Sequence, residues 1–146
     1  MIADTHGLVR AEAEQALAGC DLLIHAGDVG KPEVLDKLRR IAPLRTIRGN
    51  VDKWASDLPE TDVVEIGEHL IYVLHNVDEL KIDPAGAGFA AVISGHSHRP
   101  RIERREGVLY LNPGSAGPRR FKLPVTVALL DVLPMGLQAK IVELTV

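Results

Sequence analysis

Residues 21–50, DLLIHAGDVGKPEVLDKLRRIAPLRTIRGN, decide the fold. Asp21-Leu22-Leu23-Ile24-His25 is a short apolar run of the kind that forms a buried strand, and Leu44-Arg45-Thr46-Ile47-Arg48 reads as a second. Between them Lys31-Pro32-Glu33 opens a helix with proline in its first turn, where a missing N–H costs nothing. Just upstream, Arg10 to Leu17 carries Ala and Glu at good helix-forming positions and stops at Gly19. The order is β-α-β-α-β, and strands joined by helical crossovers lie parallel.

The second half is patterned differently. Val63 to Ile66 and Leu70 to Leu74 are β-prone runs joined by Gly67-Glu68-His69, the spacing of a hairpin. Ala90 to Ser94 reads as a further buried strand, and Arg101 to Glu103 can pair with Val108 to Leu111 across Glu106-Gly107. Val125 to Val132 and Leu137 to Leu144 make a closing hairpin. The expected fold class is α/β: a two-sheet mixed β-sandwich flanked by helices, with parallel strands early and antiparallel strands late.

With 146 residues, 46% hydrophobic and 25% charged, the chain has the size and composition of one globular domain spanning residues 1–146. No apolar run approaches the roughly 20 residues of a membrane helix. The opening residues show no secretory pattern, and the lone Cys20 cannot form an internal disulfide, so the expectation is a reducing cytoplasm and no membrane. A net charge of −3 and only five aromatic residues leave neither the basic field nor the stacking platforms of a nucleic-acid binder. No nucleic-acid polymer is expected as a partner.

Against this plain background stand six histidines. The polar residues that directly follow the apolar runs are Asp4 and His6, Asp28, Asn50, His75, and then His96 and His98. Asp4 to Asp28 is 24 residues, Asp28 to Asn50 is 22, Asn50 to His75 is 25 and His75 to His96 is 21. Each interval is about one strand-connection-strand unit. Ligands of open α/β sheets collect beyond the carboxyl ends of the strands, so seven side chains recurring at this interval converge on one edge, as a metal site requires. Each piece alone has a plainer reading: Asp4-Thr5-His6-Gly7 as a helix cap, Gly27-Asp28 and Gly49-Asn50 as turns, His75 as a half-buried strand end. All seven are good nitrogen or oxygen ligands, and their coincidence at successive strand ends favours the metal.

The ordered set Asp4-Thr5-His6-Gly7, Gly27-Asp28, Gly49-Asn50-Val51-Asp52, His75, Gly95-His96-Ser97-His98 and Asn112-Pro113-Gly114-Ser115 resembles the calcineurin-like metallophosphoesterase superfamily, and within it the small phosphodiesterases of the YfcE type. The resemblance covers nearly the whole chain. It implies a four-layer α/β/β/α arrangement and two divalent ions, with Asp4, His6 and His98 on one, Asn50, His75 and His96 on the other, and Asp28 bridging both. The ligand set suits Mn²⁺, Fe²⁺, Zn²⁺ or Ni²⁺, and manganese is the usual choice in similar proteins. A bridging hydroxide would be the nucleophile, Asn50 would also meet the substrate phosphate, and the substrate would be a small phosphodiester.

Val51 stands where the wider superfamily has a histidine that protonates the leaving group, and valine cannot do so. This favours a phosphodiester over a phosphomonoester. Asp52 is read as a catalytic-site residue orienting Asn50 or a histidine ligand, or as an ordinary turn aspartate. Asn76 replaces the glycine that relatives usually carry, and asparagine tolerates a left-handed conformation better than most residues, so the turn is expected to survive the change. Arg119, following Pro118, matches a basic position that could bind substrate phosphate, or with Arg120 and Lys122 forms a solvated basic face. His25 and His69 are read as structural, His25 close to the ligands. Two other functions stay open: a scaffold that keeps the sandwich for protein contacts, as the retromer subunit with this fold does, and a phosphomonoesterase or nucleotidase. The apolar late strands allow a homodimer. Only Met1, Ile2 and Ala3 precede Asp4, where relatives have a full buried strand, so a later-than-natural chain start or a looser first ion site is expected.

Overall fold

The computed structural model describes residues 1–146. The first sheet is built around β1 (Leu23–His25), which pairs in parallel with β2 (Leu44–Thr46), Leu23 opposite Leu44 and His25 opposite Thr46. On its other side lie residues 1–4. Ile2 N donates to Ile24 O at 3.0 Å, Ala26 N to Ile2 O at 2.9 Å and Asp4 N to Gly27 O at 3.0 Å. The far edge of the same four residues meets a strand from the end of the chain: the Met1 amine donates to Ala128 O at 2.8 Å, Ala128 N to Met1 O at 3.0 Å and Ala116 N to Ala3 O at 3.1 Å. That strand, β8 (Thr126–Leu133), forms an antiparallel hairpin with β9 (Gly136–Glu143). The first layer therefore runs β2, β1, residues 1–4, β8, β9.

Five strands make the second sheet, in the order β3 (Thr61–Ile66), β4 (His69–Leu74), β5 (Ala91–Ile93), β7 (Val108–Asn112), β6 (Arg101–Arg105). The sequence reading placed each of these strands and both hairpins. It expected antiparallel pairing throughout this half, whereas β5 is parallel to both β4 and β7. The reason is the connection: residues 75–90 cross over the sheet before β5 begins, and the β6–β7 hairpin folds outward so that its second strand lies inside.

Side chains alternate along the central strands, as the strand period of two requires. Met1, Ala3, Ile24, Ala26 and Ala128 face the second sheet and pack with Ile71, Val73, Ile93, Leu109 and Leu111. Ile2, Leu23, Val125 and Val127 face the opposite way, into a second cluster under the helices. Helix α1 (Ala11–Leu17) buries Ala13 and Leu17, one turn apart, and α2 (Pro32–Arg39) buries Val34, Leu35 and Leu38. Glu33 at the start of α2 and Lys37 and Arg39 at its end complement the helix dipole. Both helices cover the first sheet. On the outer face of the second, Leu74, Val92 and Val108 are covered by a single 3₁₀ turn, Val77–Glu79, and the loop after it, with Tyr72 half-buried beside them, so the sheets are flanked by few helices.

Every strand of interest ends at one edge of the sandwich. Asp4 follows a stretch that is hydrogen-bonded on both sides and fully buried, and its own exposure is zero. Ile71 lies at zero exposure between the sheets, so Ile71→Ala should cost about 2–5 kcal/mol in urea unfolding of the metal-free protein. A loss below about 1 kcal/mol would show that the two sheets do not share a packed core there.

Candidate metal centre

Asp4 and His6 leave the first sheet beside Asp28, which follows β1, while His75 follows β4 and His96 and His98 follow β5. The turns that aim them are tight. Asp4, His6, Asp28, His96 and His98 all hold positive φ, between 47° and 71°, the left-handed region that ordinary residues avoid. Of the seven non-glycine residues with positive φ, these are five, and such backbone persists where the surroundings over-determine it.

The side chains meet closely. His75 Nε2 lies 3.2 Å from Asp28 Oδ2 and 3.9 Å from Asp4 Oδ1. His6 Nε2 is 3.7 Å from Asp28 Oδ2, and His98 Nε2 is 3.6 Å from Asp4 Oδ1. Two groups can each close around an ion: Asp4, His6 and His98, and Asp4, Asp28 and His75. Asp4 belongs to both, and the Asp28 carboxylate stands between His6 and His75. Asn50 and His96 are exposed at the rim, the His96 ring 5.2 Å from that of His75. The structure thus gathers five of the seven expected ligands into one buried cluster and leaves two at its mouth.

Four of the five buried side-chain nitrogen or oxygen atoms without a hydrogen-bond partner belong to this cluster: Asp4 Oδ1, His6 Nε2, His75 Nε2 and His98 Nδ1. Buried polar atoms left unpaired are costly, so lone pairs on Asp4 Oδ1, His6 Nε2 and His75 Nε2 left without a partner in one cluster fit a cation. The tautomer of His75 fits too: its Nδ1 donates to Ala26 O at 2.8 Å, which turns a free Nε2 lone pair toward the carboxylates once the ring is neutral.

Burial pushes the Asp4 carboxyl up to about 7, against the pull of His75. Burial would raise Asp28 as well, but the nearby His75 imidazole, its Nε2 3.2 Å away, and the Val51 N–H outweigh it and hold that carboxyl at about 2. His75 is raised in turn, burial notwithstanding, by Asp28 and the Ala26 carbonyl. Burial and the charge of Arg120 bring His98 down to about 4, and burial lowers His6. At neutral pH His6 and His98 are therefore uncharged and ready to donate lone pairs.

The other expected site residues fall out as follows. Asp52 is buried and its carboxylate is fully engaged by backbone: Oδ2 accepts from Val29 N at 3.0 Å and Gly49 N at 2.8 Å, and Oδ1 from Gly30 N at 2.9 Å. It ties the Asp28 turn to the Asn50 turn, and its hydrogen bonds all go to backbone rather than to Asn50's side chain or a histidine. Arg119 points away, its guanidinium 3.4 Å from Val146 O, whereas the charge of its neighbour Arg120 acts on Asp4, His6 and His98. Reading the basic run from sequence could not tell which arginine's charge is felt at the cluster. His25, fully buried and held by burial at about 3, is neutral. Its Nε2 lies 2.9 Å from Thr5 Oγ1, which donates to Val29 O, and its Nδ1 accepts from Gly27 N, so it clamps both ligand turns. The Asn112 side chain donates to Gly95 O at 2.8 Å and Ser97 Oγ at 3.1 Å, and Ser115 Oγ donates to Asp4 O at 3.0 Å. The Asn112–Ser115 motif thereby fixes the His96–His98 loop and Asp4.

An α/β/β sandwich with a histidine-carboxylate cluster at one edge defines a metallophosphoesterase type of protein. The family model of the calcineurin-like phosphoesterase superfamily domain matches residues 1–134, and the chain belongs to that family. A probable metallophosphoesterase of Methanocaldococcus jannaschii is 38% identical over 128 residues, 79% of this chain and 66% of that protein, so the chain spans about two thirds of this relative. A probable metallophosphoesterase of Methanothermobacter thermautotrophicus is 30% identical, over 98% of this chain and 90% of the relative. Among solved structures, vacuolar protein sorting 29 of Chaetomium thermophilum superposes with a TM-score of 0.79 at 21% identity, covering 99% of this chain and 94% of that one. An archaeal phosphodiesterase gives 0.77 at 20% identity, with 97% of both chains covered.

Two outcomes test the centre directly. An ion needs Asp4 ionised, and its carboxyl titrates near 7, so Mn²⁺ affinity should fall about tenfold per pH unit below that point with release of a proton. Titration calorimetry at pH 6 and 8, in buffers of different ionisation heat, would read both effects, and equal affinities at the two pH values would contradict them. A Cβ at Gly49 would run into the Asp28 carboxylate, so Gly49→Ala should weaken Mn²⁺ binding at least about tenfold. Unchanged metal content on elemental analysis would show that the Asp28 turn yields freely.

Proposed function

We propose that the chain is a phosphodiesterase dependent on two divalent ions, best served by Mn²⁺, with Fe²⁺, Zn²⁺ and Ni²⁺ as substitutes. The observation that carries this is the set of buried, unpartnered ligand atoms on Asp4, His6, His75 and His98. Imidazole and carboxylate without thiolate is the donor set of these metals. Asp4, His6 and His98 would hold one ion and His75, His96 and Asn50 the other, with Asp28 reaching both. When bound, a pair of ions makes hydroxide available near neutral pH and polarises the phosphoryl oxygens.

The chain's own residues then have limited tasks. Asn50 and His96, exposed at the rim, are placed to meet both an ion and a substrate oxygen. Arg120 adds positive potential beside His98, which draws an anion to the mouth. Val51 donates its backbone N–H to Asp28 Oδ1 at 3.2 Å, while its side chain, 48% exposed, offers no proton to a leaving group. A general acid is worth about 10²–10⁴-fold, so its absence favours esters whose leaving groups depart as stable anions, and a diester over a monoester. The scaffold reading draws on the likeness in fold to vacuolar protein sorting 29 and on an apolar hollow of about 500 Å³ at the opposite end, beside Met1, Leu22 and Leu130. A pure scaffold has no use for seven ligand-type residues, and all seven stand here. A reducing cytoplasm, a small-molecule substrate without nucleic-acid polymer or membrane, and a homodimer through the late strands belong to the same proposal.

Protein stripped by chelation and reloaded with Mn²⁺ should hydrolyse bis-p-nitrophenyl phosphate, and p-nitrophenyl phosphate much more slowly. Asp28→Ala should lower the diester rate at least about a hundredfold, since even residues that only support a ligand are worth 10–100-fold. Metal-independent turnover, or a variant as active as the parent, would reject the proposal, and a faster monoester would turn it into a phosphomonoesterase.

A further inference from the structure

Two cavities open on either side of the His75–His96 pair, and Asn76 lines both. The one next to His96 is about 170 Å³. The other, bordered by Asn50 and His75, is about 600 Å³, within the range that holds a drug-sized ligand. A phosphoryl group at the metal centre would thus have one wide groove and one narrow hollow for its two ester substituents.

Chemistry distinguishes the wide groove. Its charged side chains are Arg48, Lys81, Glu60 and Glu79, two of each sign, and Arg48 is tied to Glu60 at 2.9 Å. Such a wall gives no net pull on a second phosphate or a carboxylate, while offering hydrogen bonds to a neutral polar group. Its apolar surface comes from Leu74 and Tyr72. Tyr72 is half-buried and braced edge-on by Phe89, ring centroids 5.3 Å apart at 71°. A braced aromatic ring among polar groups is a platform for a planar ring.

We infer that the wide groove binds the larger arm of the diester, and that this arm is a neutral alcohol bearing a planar ring, of which a nucleoside is the fitting biological class. This rests on the phosphodiesterase reading above and adds which diester it prefers. The narrow hollow takes the smaller substituent.

The test uses Mn²⁺-loaded full chain and three diesters with a common p-nitrophenolate leaving group: its thymidine 5′-phosphoryl ester, the same ester carrying a further 3′-phosphate, and methyl p-nitrophenyl phosphate. The expected kcat/KM for the thymidyl ester exceeds that of the methyl ester by about tenfold, the scale of one stacked base, and the 3′-phosphate adds nothing. Tyr72→Leu should bring the ratio of the two toward one. Phe89→Leu, which removes the brace from the Tyr72 ring, should lower that ratio as well and serves if Tyr72→Leu does not fold. Equal kcat/KM for thymidyl and methyl esters, a ratio indifferent to both variants, or a marked gain from the 3′-phosphate would overturn the assignment while leaving the phosphodiesterase intact. Failure to hydrolyse any of the three would instead bring down the reading beneath it.

Discussion

The molecule turns on residues 1–4, whose backbone pairs with β1 on one edge and β8 on the other. Without this pairing the first sheet is two separate ribbons, and isolated two-stranded ribbons are marginal in water. The same four residues divide their side chains between the two cores, Met1 and Ala3 toward the second sheet and Ile2 toward the helices. Asp4 follows at the end of this stretch, so the hydrogen bonds that close the sheet also deliver the most buried carboxylate of the metal centre.

What lies beyond the strand ends is held against its own preferences. Five ligand residues in left-handed backbone each cost roughly 1–2 kcal/mol, and burial adds the expense of an uncharged or unpaired Asp4. The turns survive because they are tied to one another by backbone-directed side chains. Asp52 joins the Asp28 turn to the Gly49 turn, His25 joins the Thr5 turn to Gly27, and Asn112 with Ser115 joins the His98 loop to Asp4. None of these four needs to touch substrate, yet together they set where every ligand atom points.

Much of this was legible in the sequence because it is written in periodicity. Apolar runs, with the turn at Glu106-Gly107 for the strand at 101–105, located all nine strands, and the polar residues after five of the runs are those that the structure brings to one edge. Pairing direction was not legible for β5, because it depends on how residues 75–90 cross the sheet and not on the strand's own residues. Nor was the difference between two neighbouring arginines: Arg119 and Arg120 are chemically alike, and only the turn between Pro118 and Leu123 decides that one reaches Val146 while the charge of the other is felt at His98. The left-handed ligand turns escaped notice for a third reason. Aspartate and histidine reveal nothing of φ, and only the glycines beside them, at 7, 27 and 95, hint at the crowding.

The core and the edge of the sandwich are built from different residues. The two apolar clusters are formed by side chains from within the strands and helices, and no metal ligand belongs to either. The ligands sit where strands end, tied to each other more than to the core. Replacing them would relieve backbone strain and the burial of Asp4 without touching either apolar cluster. A chain that had ceased to bind metal would be free to exchange Asp4, whose burial is expensive, for a smaller neutral residue. The costly carboxylate, the strained turns around it and the clamps that hold them are what the proposed metal centre would require of this edge.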